Sequence, residues 1–378
     1  MSPKKMEYVR LGNSGLKVSK IILGCMSYGT PDWQGWVLGE EEGLKHIKFA
    51  YDNGITTFDT ANVYSNGLSE VILGKAIKQF NLPREELVIM TKVYFPRPND
   101  PAKVIWAPAD AEAAGIINQK GLNRKHIFDS VKQSLQRLQL DYIDVLQCHR
   151  FDYETPIEET MQALHDVVQA GYVRYIGMSS CYAYQCELTY TTSVCAALTR
   201  NDSQPDAKYV HEARPRCISH SPTATDYAIT HKLTPFISMQ NHYSLIYREE
   251  EREMFPTLKH FGVGSIPWSP LGRGLLTHPL NTETLRSKTD GFLQIYNIPA
   301  IPAIVSRVEE LSKKKGASMA QIATAWILAK PGVTAPIIGT TNLKNLEDIL
   351  GALDVKLTEE DIKLLEEPYT PVAIVGHS

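Results

Sequence analysis

Short apolar runs rich in β-branched residues alternate with longer amphipathic segments along the 378-residue chain. A short apolar run bounded by turn residues is typical of a buried strand, whereas apolar residues spaced three and four apart are typical of a helix. Residues 56–59 show the first pattern, and residues 41–53 and 124–138 show the second. The chain is therefore predicted to contain strands and helices in regular alternation.

Eight apolar runs are candidate strands, each followed by helical sequence. They cover residues 21–27, 56–59, 87–92, 143–149, 173–180, 236–241, 263–268 and 334–340. Eight such units in a chain of this length favour an α/β fold, a (β/α)8 TIM barrel with 1–378 as one domain, over an open doubly wound sheet. Within this fold, we expect Ser69 to be the N-cap of the helix after the second strand.

No glycine-rich dinucleotide fingerprint follows a predicted strand. The nearest approach is Gly262-Val263-Gly264-Ser265-Ile266-Pro267, which lacks the third glycine of that motif and lies at the start of a predicted strand instead of following one. A nicotinamide cofactor would therefore have to bind in another way.

The composition is that of a globular protein, with 43% hydrophobic residues, 21% charged residues and a net charge of −3. Because the basic residues are scattered, we expect a small-molecule partner and neither nucleic acid nor an anionic membrane. No apolar run approaches the ~18 residues of a membrane span, and no secretion signal is evident. Six cysteines without a pairing rhythm are typical of reduced thiols, so a cytoplasmic location is expected.

Three successive predicted strands end in an ionisable residue, namely Asp59, Lys92 and His149. The C-terminal ends of barrel strands lie on one face, so these residues should converge, with Tyr64 in the loop above them. A buried ammonium needs a carboxylate, and Asp59 is the available partner for Lys92. The phenol of Tyr64, with a reference pKa of about 10, needs a nearby cation to act as an acid at neutral pH. Each residue alone would be ordinary, but the four together indicate an active site.

Three segments resemble those that carry the Asp/Tyr/Lys/His tetrad of the aldo-keto reductases: GITTFDTANVY at 54–64, TK at 91–92 and QCHR at 147–150. Two others, SMQNHY at 238–243 and YREEEREM at 247–254, are similar to one branch of that family. This branch contains fungal aryl-alcohol dehydrogenases, related bacterial reductases and the β-subunits of voltage-gated potassium channels. The resemblance covers nearly the whole chain. It implies NADP-dependent, reversible reduction of aldehydes or ketones to alcohols.

The resemblance also assigns roles to the tetrad. Tyr64 would donate a proton to the developing alkoxide, and Lys92 would keep the phenol acidic. Asp59 would neutralise and orient Lys92, while His149 would hydrogen-bond the substrate oxygen.

By the same resemblance, an NADP(H) site should follow the C-terminal ends of the strands. The nicotinamide would lie on Trp268, residues 269–273 would cover the pyrophosphate, and residues 339–348 would hold the adenosine. The implied contacts are Cys25, Met26, Asp59, Ser179, Ser180, Gln240, Trp268, Ser269, Pro270, Leu271, Arg273, Gly339, Thr340, Thr341, Lys344, Asn345 and Asp348. Where many members hold the 2′-phosphate with Lys-Ser and Arg, this chain has Thr340, Thr341 and Lys344, and NADP is still expected.

The sequence does not specify the substrate. Two loops, 31–39 and 96–121, suggest an aromatic or apolar pocket, and the expected substrate contacts are Trp33, Trp36, Tyr64 and His149. Two other functions stay open: a nicotinamide-binding redox sensor or regulatory subunit with little turnover, and a lyase or isomerase that uses Lys92 as a Schiff-base amine. The oligomeric state stays open as well.

No metal site is expected. The chain has a scatter of possible ligands, but their spacing matches no zinc template. These residues are Cys181, Cys186, Cys195, His211, Cys217 and His220.

Residues 186–225 break the pattern between the fifth and sixth predicted strands. One helix is needed there, and in related sequences the chain passes straight through it. Here about forty residues intervene, rich in Ser, Thr, Pro and Arg and without a helical period. They could be a lid or partner-binding loop. The favoured interpretation is an extraneous stretch, such as a translated intron, that splits the helix and leaves residues 226–231 as its second half.

Overall fold

The fold is described from a computed structural model covering residues 6–186, 228–229, 231–280 and 282–377. A parallel eight-stranded sheet forms its centre, with strands in the order β10-β3-β4-β5-β6-β7-β8-β9. The barrel strands are β3 Ile22–Gly24, β4 Thr57–Asp59, β5 Val88–Val93, β6 Ile143–Cys148, β7 Val173–Ser179, β8 Phe236–Gln240, β9 Gly264–Ser265 and β10 Ile337–Ile338. All eight predicted strands are confirmed.

The sheet closes on itself between β9 and β10. The amide of Thr334 donates to the carbonyl of Ser265 at 2.8 Å, and the amide of Ile337 donates to the carbonyl of Pro267 at 2.8 Å. A closed parallel sheet surrounded by helices is a (β/α)8 barrel, as predicted.

An antiparallel hairpin that the sequence reasoning did not include lies before the barrel. Strands β1 Tyr8–Arg10 and β2 Lys17–Ser19 pair with Val9 opposite Val18. Leu11 and Val18 are fully buried and belong to one apolar cluster with barrel residues such as Val88. Because these barrel side chains come from the beginnings of the strands, the hairpin covers the N-terminal end of the barrel.

Helices surround the barrel and bury apolar faces against the strands. In the described part of the chain they are α1 Glu40–Asp52, α2 Leu68–Gln79, α3 Pro108–Ala113, α4 Arg124–Leu138, α5 Ile157–Gln169, α6 Ala183–Cys186, α7 Met254–Phe261, α8 Leu285–Thr289, α9 Ile301–Lys315, α10 Met319–Ala329, α11 Leu343–Leu350 and α12 Glu359–Glu366. None of the described helices is long and apolar enough to cross a membrane.

The expected N-cap at Ser69 is wrong. Helix α2 begins at Leu68, and its N-cap is Gly67, whose φ of 97° is in the left-handed region. A 3₁₀ turn, Tyr64–Gly67, runs directly into the helix and places Ser69 inside the first turn. The Ser69 hydroxyl instead donates to the carbonyl of Cys25 at 2.7 Å, so it joins α2 to the end of β3.

The predicted insert falls almost entirely outside the described residues, which omit 187–227. On its N-terminal side, α6 begins four residues after β7 and places Ala183 in the core. On its C-terminal side, Ala228 and Ile229 are helical, and Ala228 is fully buried. The amide of Leu233 then donates to the carbonyl of Ala228 at 2.7 Å. Both flanks of the predicted insert therefore contact the barrel.

Candidate active site

A buried ion pair lies at the C-terminal ends of β4 and β5. Lys92 Nζ is 2.6 Å from Asp59 Oδ2, and the two side chains are 0% and 3% exposed. The ammonium also donates to the carbonyl of Thr60 at 2.8 Å. Because a buried charge is stable only when it is paired and hydrogen-bonded, these contacts explain how Lys92 remains in the interior.

Tyr64 is brought to the same ammonium by a strained turn. Ser65, Asn66 and Gly67 have φ values of 45°, 49° and 97°, so the chain reverses sharply after the tyrosine. The side chain of Asn66 donates to the carbonyls of Asp100 and Lys103, both at 2.7 Å, and fixes this turn against the loop 96–121. Tyr64 Oη then accepts from Lys92 Nζ at 3.1 Å.

Two glutamines, whose role the sequence reasoning missed, complete the hydrogen bonds of Asp59. Gln147 Nε2 and Gln240 Nε2 each donate to Asp59 Oδ1 at 2.8 Å. Gln240 Nε2 also donates to Gln147 Oε1 at 2.9 Å. Alternation along β6 was the available signal for Gln147, since a residue two positions before His149 points to the same side of the strand.

His149 faces Tyr64 across the mouth of the barrel. Their rings meet edge to face at a centroid distance of 5.7 Å. Nδ1 is buried without a hydrogen-bond partner among the described residues. Burial lowers the pKa of His149 well below its usual range, and the positive charges of Lys92 and Arg150 lower it further. The imidazole is therefore neutral at physiological pH.

The electrostatic balance at Tyr64 differs from the expectation in one respect. Burial raises the pKa of the phenol, and Lys92 opposes this shift without reversing it. For Lys92, burial lowers the pKa, but Asp59 and Tyr64 raise it by more, so the amine stays protonated. Lys92 therefore acts in the predicted direction, while the phenol keeps its proton at neutral pH.

The residues predicted to hold a nicotinamide lie beside this cluster. Ser179, at the end of β7, donates through Oγ to the carbonyl of Gln240 at 2.9 Å. Trp268 donates through Nε1 to Ser180 Oγ at 3.0 Å. Trp268 also stacks on His242 at a centroid distance of 4.1 Å and an interplanar angle of 11°. The ends of β7, β8 and β9 thus present one polar and aromatic surface next to Asp59.

The segment predicted to cover a pyrophosphate is held by an acidic residue. Arg273, with a φ of 55°, lies in a 3₁₀ turn, and its Nε donates to Asp290 Oδ2 at 2.7 Å. Asp290 also binds Arg286 at 3.0 Å. The neighbouring residues Pro270 and Leu271 are buried, and Ser269 has a positive φ of 52°.

The predicted adenosine residues lie around the start of α11. Asn342 caps this helix by accepting from the amide of Lys344 at 2.8 Å, and the side chains of Lys344 and Asn345 are exposed. Gly339 is exposed beside Ser27, whereas Asp348 faces α10 and accepts from Ser318 and Gln321. In the structure, Asp348 therefore links α11 to the start of α10.

The remaining predicted residues lie on either side of the mouth. Trp33 is buried, with its ring centroid 6.4 Å from that of Tyr64. Trp36 is buried too, and the Arg286 guanidinium lies 4.2 Å from its centroid. Cys25 is fully buried in the main core, and Met26 packs on the aromatic cluster that contains Trp33.

Sequence reasoning missed three aromatic residues of the rim. Phe95 lies 5.0 Å from His149 and 5.1 Å from Trp106, ring centroid to ring centroid. Trp106 contacts Trp33 at 6.0 Å and Phe292 at 5.8 Å. These contacts join segments that are far apart in sequence. The only early signal was Trp106, which lies in the predicted loop 96–121.

The C-terminal segment after α12 returns to the same face of the barrel. The amide of Val375 donates to Tyr247 Oη at 3.0 Å, and His377 Nε2 lies 3.1 Å from Glu250 Oε1. The carbonyl of His377 accepts from Tyr153 at 3.3 Å. The motif at 247–254 therefore anchors the end of the chain beside β7 and β8.

In the described part of the chain, no group of three or more His, Cys, Asp or Glu side chains could hold a metal ion. Of the scattered ligands considered from the sequence, Cys195, His211, Cys217 and His220 lie outside the described residues. Cys181 is buried in the core.

An eight-stranded parallel barrel with ionisable residues gathered at the C-terminal ends of its strands has the architecture of a barrel enzyme. The chain belongs to the Aldo/keto reductase family, whose sequence profile matches residues 20–200 and 216–369. It is therefore an oxidoreductase. The profile leaves 201–215 unmatched, a stretch that lies within the predicted insert.

Curated relatives cover almost the whole chain. A Schizosaccharomyces pombe protein named "Putative aryl-alcohol dehydrogenase" is 48% identical over 383 residues, covering 98% of this chain and 97% of its own. The versiconal hemiacetal acetate reductase of Aspergillus parasiticus is 45% identical over 377 residues, covering 98% of both chains. An aldo-keto reductase of Metarhizium robertsii is 41% identical over 388 residues, covering 100% of this chain and 95% of its own. These matches confirm the family and the fungal aryl-alcohol dehydrogenase-like branch.

Proposed function

We propose that this protein is an NADP-dependent carbonyl reductase that interconverts aldehydes or ketones with alcohols, using Tyr64 as the general acid. The observation that carries the proposal is the bonded series Asp59, Lys92 and Tyr64, with distances of 2.6 Å and 3.1 Å. A carbonyl oxygen placed between Tyr64 Oη and His149 Nε2 would have two hydrogen-bond donors as charge develops on it.

The residues fit a nicotinamide carboxamide. Gln240 uses Nε2 for Asp59 and Gln147, so its Oε1 is left as an acceptor for an amide N–H. Ser180 presents its hydroxyl beside Trp268, and the indole offers a flat surface for a ring. When bound, the cofactor would supply the hydride.

The roles of the protein groups follow from their charges. Tyr64 keeps its proton at neutral pH because burial raises its pKa, and it releases that proton only to a strongly basic alkoxide. Lys92 stays charged and stabilises the resulting phenolate, while Asp59 balances Lys92 in both states. His149, neutral because burial lowers its pKa, donates a hydrogen bond without adding a charge.

The preference for NADP over NAD rests on Lys344. This exposed cation lies in the first turn of α11, where the amide groups and the helix dipole also favour an anion. Thr340 and Thr341 lie just before the same turn. A 2′-phosphate at this helix terminus would therefore be held by both charge and hydrogen bonds.

Lys92 is poorly placed for the Schiff-base alternative. Its Nζ is fully buried and bonds to Asp59, Thr60 and Tyr64, so a substrate carbonyl could reach it only by breaking these contacts. Borohydride with a carbonyl substrate and no nicotinamide should leave the protein mass unchanged.

The test is a steady-state panel of aldehydes and ketones with NADPH and with NADH. Multiple turnovers with NADPH, and a higher kcat/KM than with NADH, are expected. Tight NADPH binding with at most one turnover would favour a redox-sensing subunit instead. Trapping of substrate on Lys92 by borohydride would favour the lyase.

A further inference from the structure

Arg150, the residue after His149, is a half-buried cation without a carboxylate partner in the described part of the chain. Its Nη1 donates to the carbonyl of His149 at 2.6 Å, and its guanidinium lies 5.6 Å from the Phe95 ring centroid. No ion pair with any described Asp or Glu accompanies these contacts.

Three other partly or fully buried arginines are paired with a carboxylate. Arg84 lies 2.6 Å from Asp144, Arg137 lies 2.6 Å from Glu70, and Arg273 lies 2.6 Å from Asp290. A guanidinium carries five N–H donors, and Arg150 uses one nitrogen for a backbone carbonyl. Neither Nε nor Nη2 is among the fully buried described atoms that lack a hydrogen-bond partner.

The charge of Arg150 acts on two of the proposed reacting groups. Its field lowers the pKa of His149 and tends to lower that of Tyr64. Burial lowers the pKa of Arg150 itself to about 10, which still leaves the guanidinium charged at neutral pH. A partly buried cation without a counter-charge attracts an anion more strongly than the same cation in water would.

Aromatic rings surround the space in front of this guanidinium. Phe95 contacts Arg150, His149 and Trp106, and Trp33 extends the aromatic wall toward Tyr64. A flat ring fits this wall through offset or edge-to-face contacts. An anionic oxygen on that ring could form a paired, charge-assisted bond with the fork of Arg150.

We propose that Arg150 is a substrate-specificity residue that binds an anionic oxygen, a carboxylate or a phenolate, carried by an aromatic carbonyl substrate. This inference rests on the proposed carbonyl reductase function and defines its substrate class. Arg150 touches the substrate away from the hydride acceptor, so it selects the substrate and takes no part in proton transfer.

The experiment compares substrates that differ only in charge. Formylbenzoates with the carboxylate at position 3 or 4 are tested against their methyl esters, with NADPH, in the parent enzyme, Arg150→Met and Arg150→Lys. Arg150→Met should lower kcat/KM for the carboxylates by roughly 10- to 100-fold, the usual effect of losing a charged hydrogen bond, and change the ester values little. Arg150→Lys should restore part of the loss.

Arg174→Met is the matched control, because Arg174 also has no ion pair with a described carboxylate and donates to the carbonyl of Gly171 at 2.7 Å, at the start of β7 and away from the proposed site. Its ratio of carboxylate to ester kcat/KM should equal that of the parent. An equal fall for carboxylates and esters in Arg150→Met would overturn the proposal, since Arg150 would then act by positioning His149. Weaker NADPH binding in that variant, with an unchanged ratio, would assign Arg150 to the cofactor instead.

Binding of benzoate to the NADP complex, measured by calorimetry against benzamide, gives a second readout that needs no turnover. Arg150→Met should lower the affinity for benzoate and leave the affinity for benzamide unchanged. Equal benzoate affinity in parent and variant would reject the proposal. A parent that reduces neither formylbenzoates nor their esters, yet binds benzoate through Arg150, would contradict the reductase assignment and retain the anion site. If Arg150→Met fails to fold, Arg150→Gln replaces it.

Discussion

Gln240 and Asp59, which are 181 positions apart in the sequence, are joined by a hydrogen bond of 2.8 Å from Nε2 to Oδ1. The carboxylate that neutralises Lys92 is therefore also held by a residue of the proposed nicotinamide site. A substitution of Gln240 should therefore affect proton donation by Tyr64 as well as cofactor binding.

We predict that Gln240→Leu lowers both cofactor affinity and kcat. The change removes the donor to Asp59 and leaves a buried carboxylate oxygen short of one hydrogen bond, which costs about 1–3 kcal/mol of folding free energy. NADPH titration, turnover and urea unfolding measure the three effects. Gln162→Leu is the control, because Gln162 bonds to Asp166 at 2.8 Å on the exposed face of α5. Weaker NADPH binding with an unchanged kcat would show that cofactor binding and proton donation are independent of each other.

A second prediction concerns the pair Lys92 and Asp59, which is almost fully buried. Lys92→Met leaves an uncompensated carboxylate and should destabilise the protein by about 3–5 kcal/mol. The double variant Lys92→Met with Asp59→Asn should recover most of this stability, because no buried charge remains, while activity stays absent. Equilibrium unfolding of the single and double variants measures the coupling. Equal stabilities for the two would show that solvent or another group compensates Asp59.

The barrel strands could be predicted because each is a short apolar run between turn residues, and a parallel sheet buried on both faces requires such runs. The convergence of Asp59, Tyr64, Lys92 and His149 could be predicted because strand ends in a barrel meet on one face. The N-cap of α2 could not, since the run of positive φ angles from Ser65 to Gly67 is fixed by anchoring of Asn66 to a distant loop. Local propensity does not contain that contact.

Arg150 shows a second kind of limit. The sequence shows an arginine directly after His149. Whether that arginine has a carboxylate partner depends on all the elements that surround it in the fold. The same holds for Trp106 and Phe292, which meet across the mouth from separate loops. Sequence patterns identify which residues sit at strand ends, whereas the pairing of their side chains is decided by tertiary contacts.

Tyr64→Phe should lower kcat by roughly 100-fold or more, the scale of a lost general acid, and leave cofactor binding nearly intact. Because burial raises the pKa of Tyr64, the parent rate of carbonyl reduction should stay flat from neutral pH upward and fall only when the phenol ionises above its usual range. The variant should lack that alkaline fall. Turnover against pH, with NADPH titration by tryptophan fluorescence, checks both. A variant as active as the parent would refute the assignment of Tyr64.

Lys344→Ala should narrow the preference for NADPH over NADH. The exposed ammonium adds its charge to the N-terminus of α11. Its loss should therefore weaken the binding of a 2′-phosphate by about 0.3–1 kcal/mol at low ionic strength and leave the affinity for NADH unchanged. Lys363→Ala, in α12, is the control. Affinities measured at two salt concentrations test the electrostatic origin, and equal kcat/KM for the two cofactors in the parent would remove the basis of this prediction.

The last prediction concerns the predicted insert, 186–225. We propose that it is an extraneous stretch; within it, the family profile leaves 201–215 unmatched and matches 186–200 and 216–225. The residues that flank it pack on the barrel, since Ala183 and Ala228 are both buried in the core. Ser180, a proposed cofactor contact, lies three residues before α6.

Joining Gln185 to Thr225 through a short apolar helical bridge should therefore raise the melting temperature and keep or improve NADPH-dependent turnover. A continuous helix would cover apolar barrel surface with intact backbone hydrogen bonds. Shortening the connection also lowers the entropic cost of closing the loop, which stabilises the fold by about 1 kcal/mol or less for each halving of loop length. The matched control replaces only 201–215 with a Gly-Ser linker of equal length, which removes the unmatched sequence without restoring the helix, so its melting temperature should stay close to that of the parent. A fall in both melting temperature and turnover for the bridged variant would show that the segment belongs to the working enzyme, as a lid or partner-binding loop would. Sequencing of the transcript independently determines whether the stretch is translated at all.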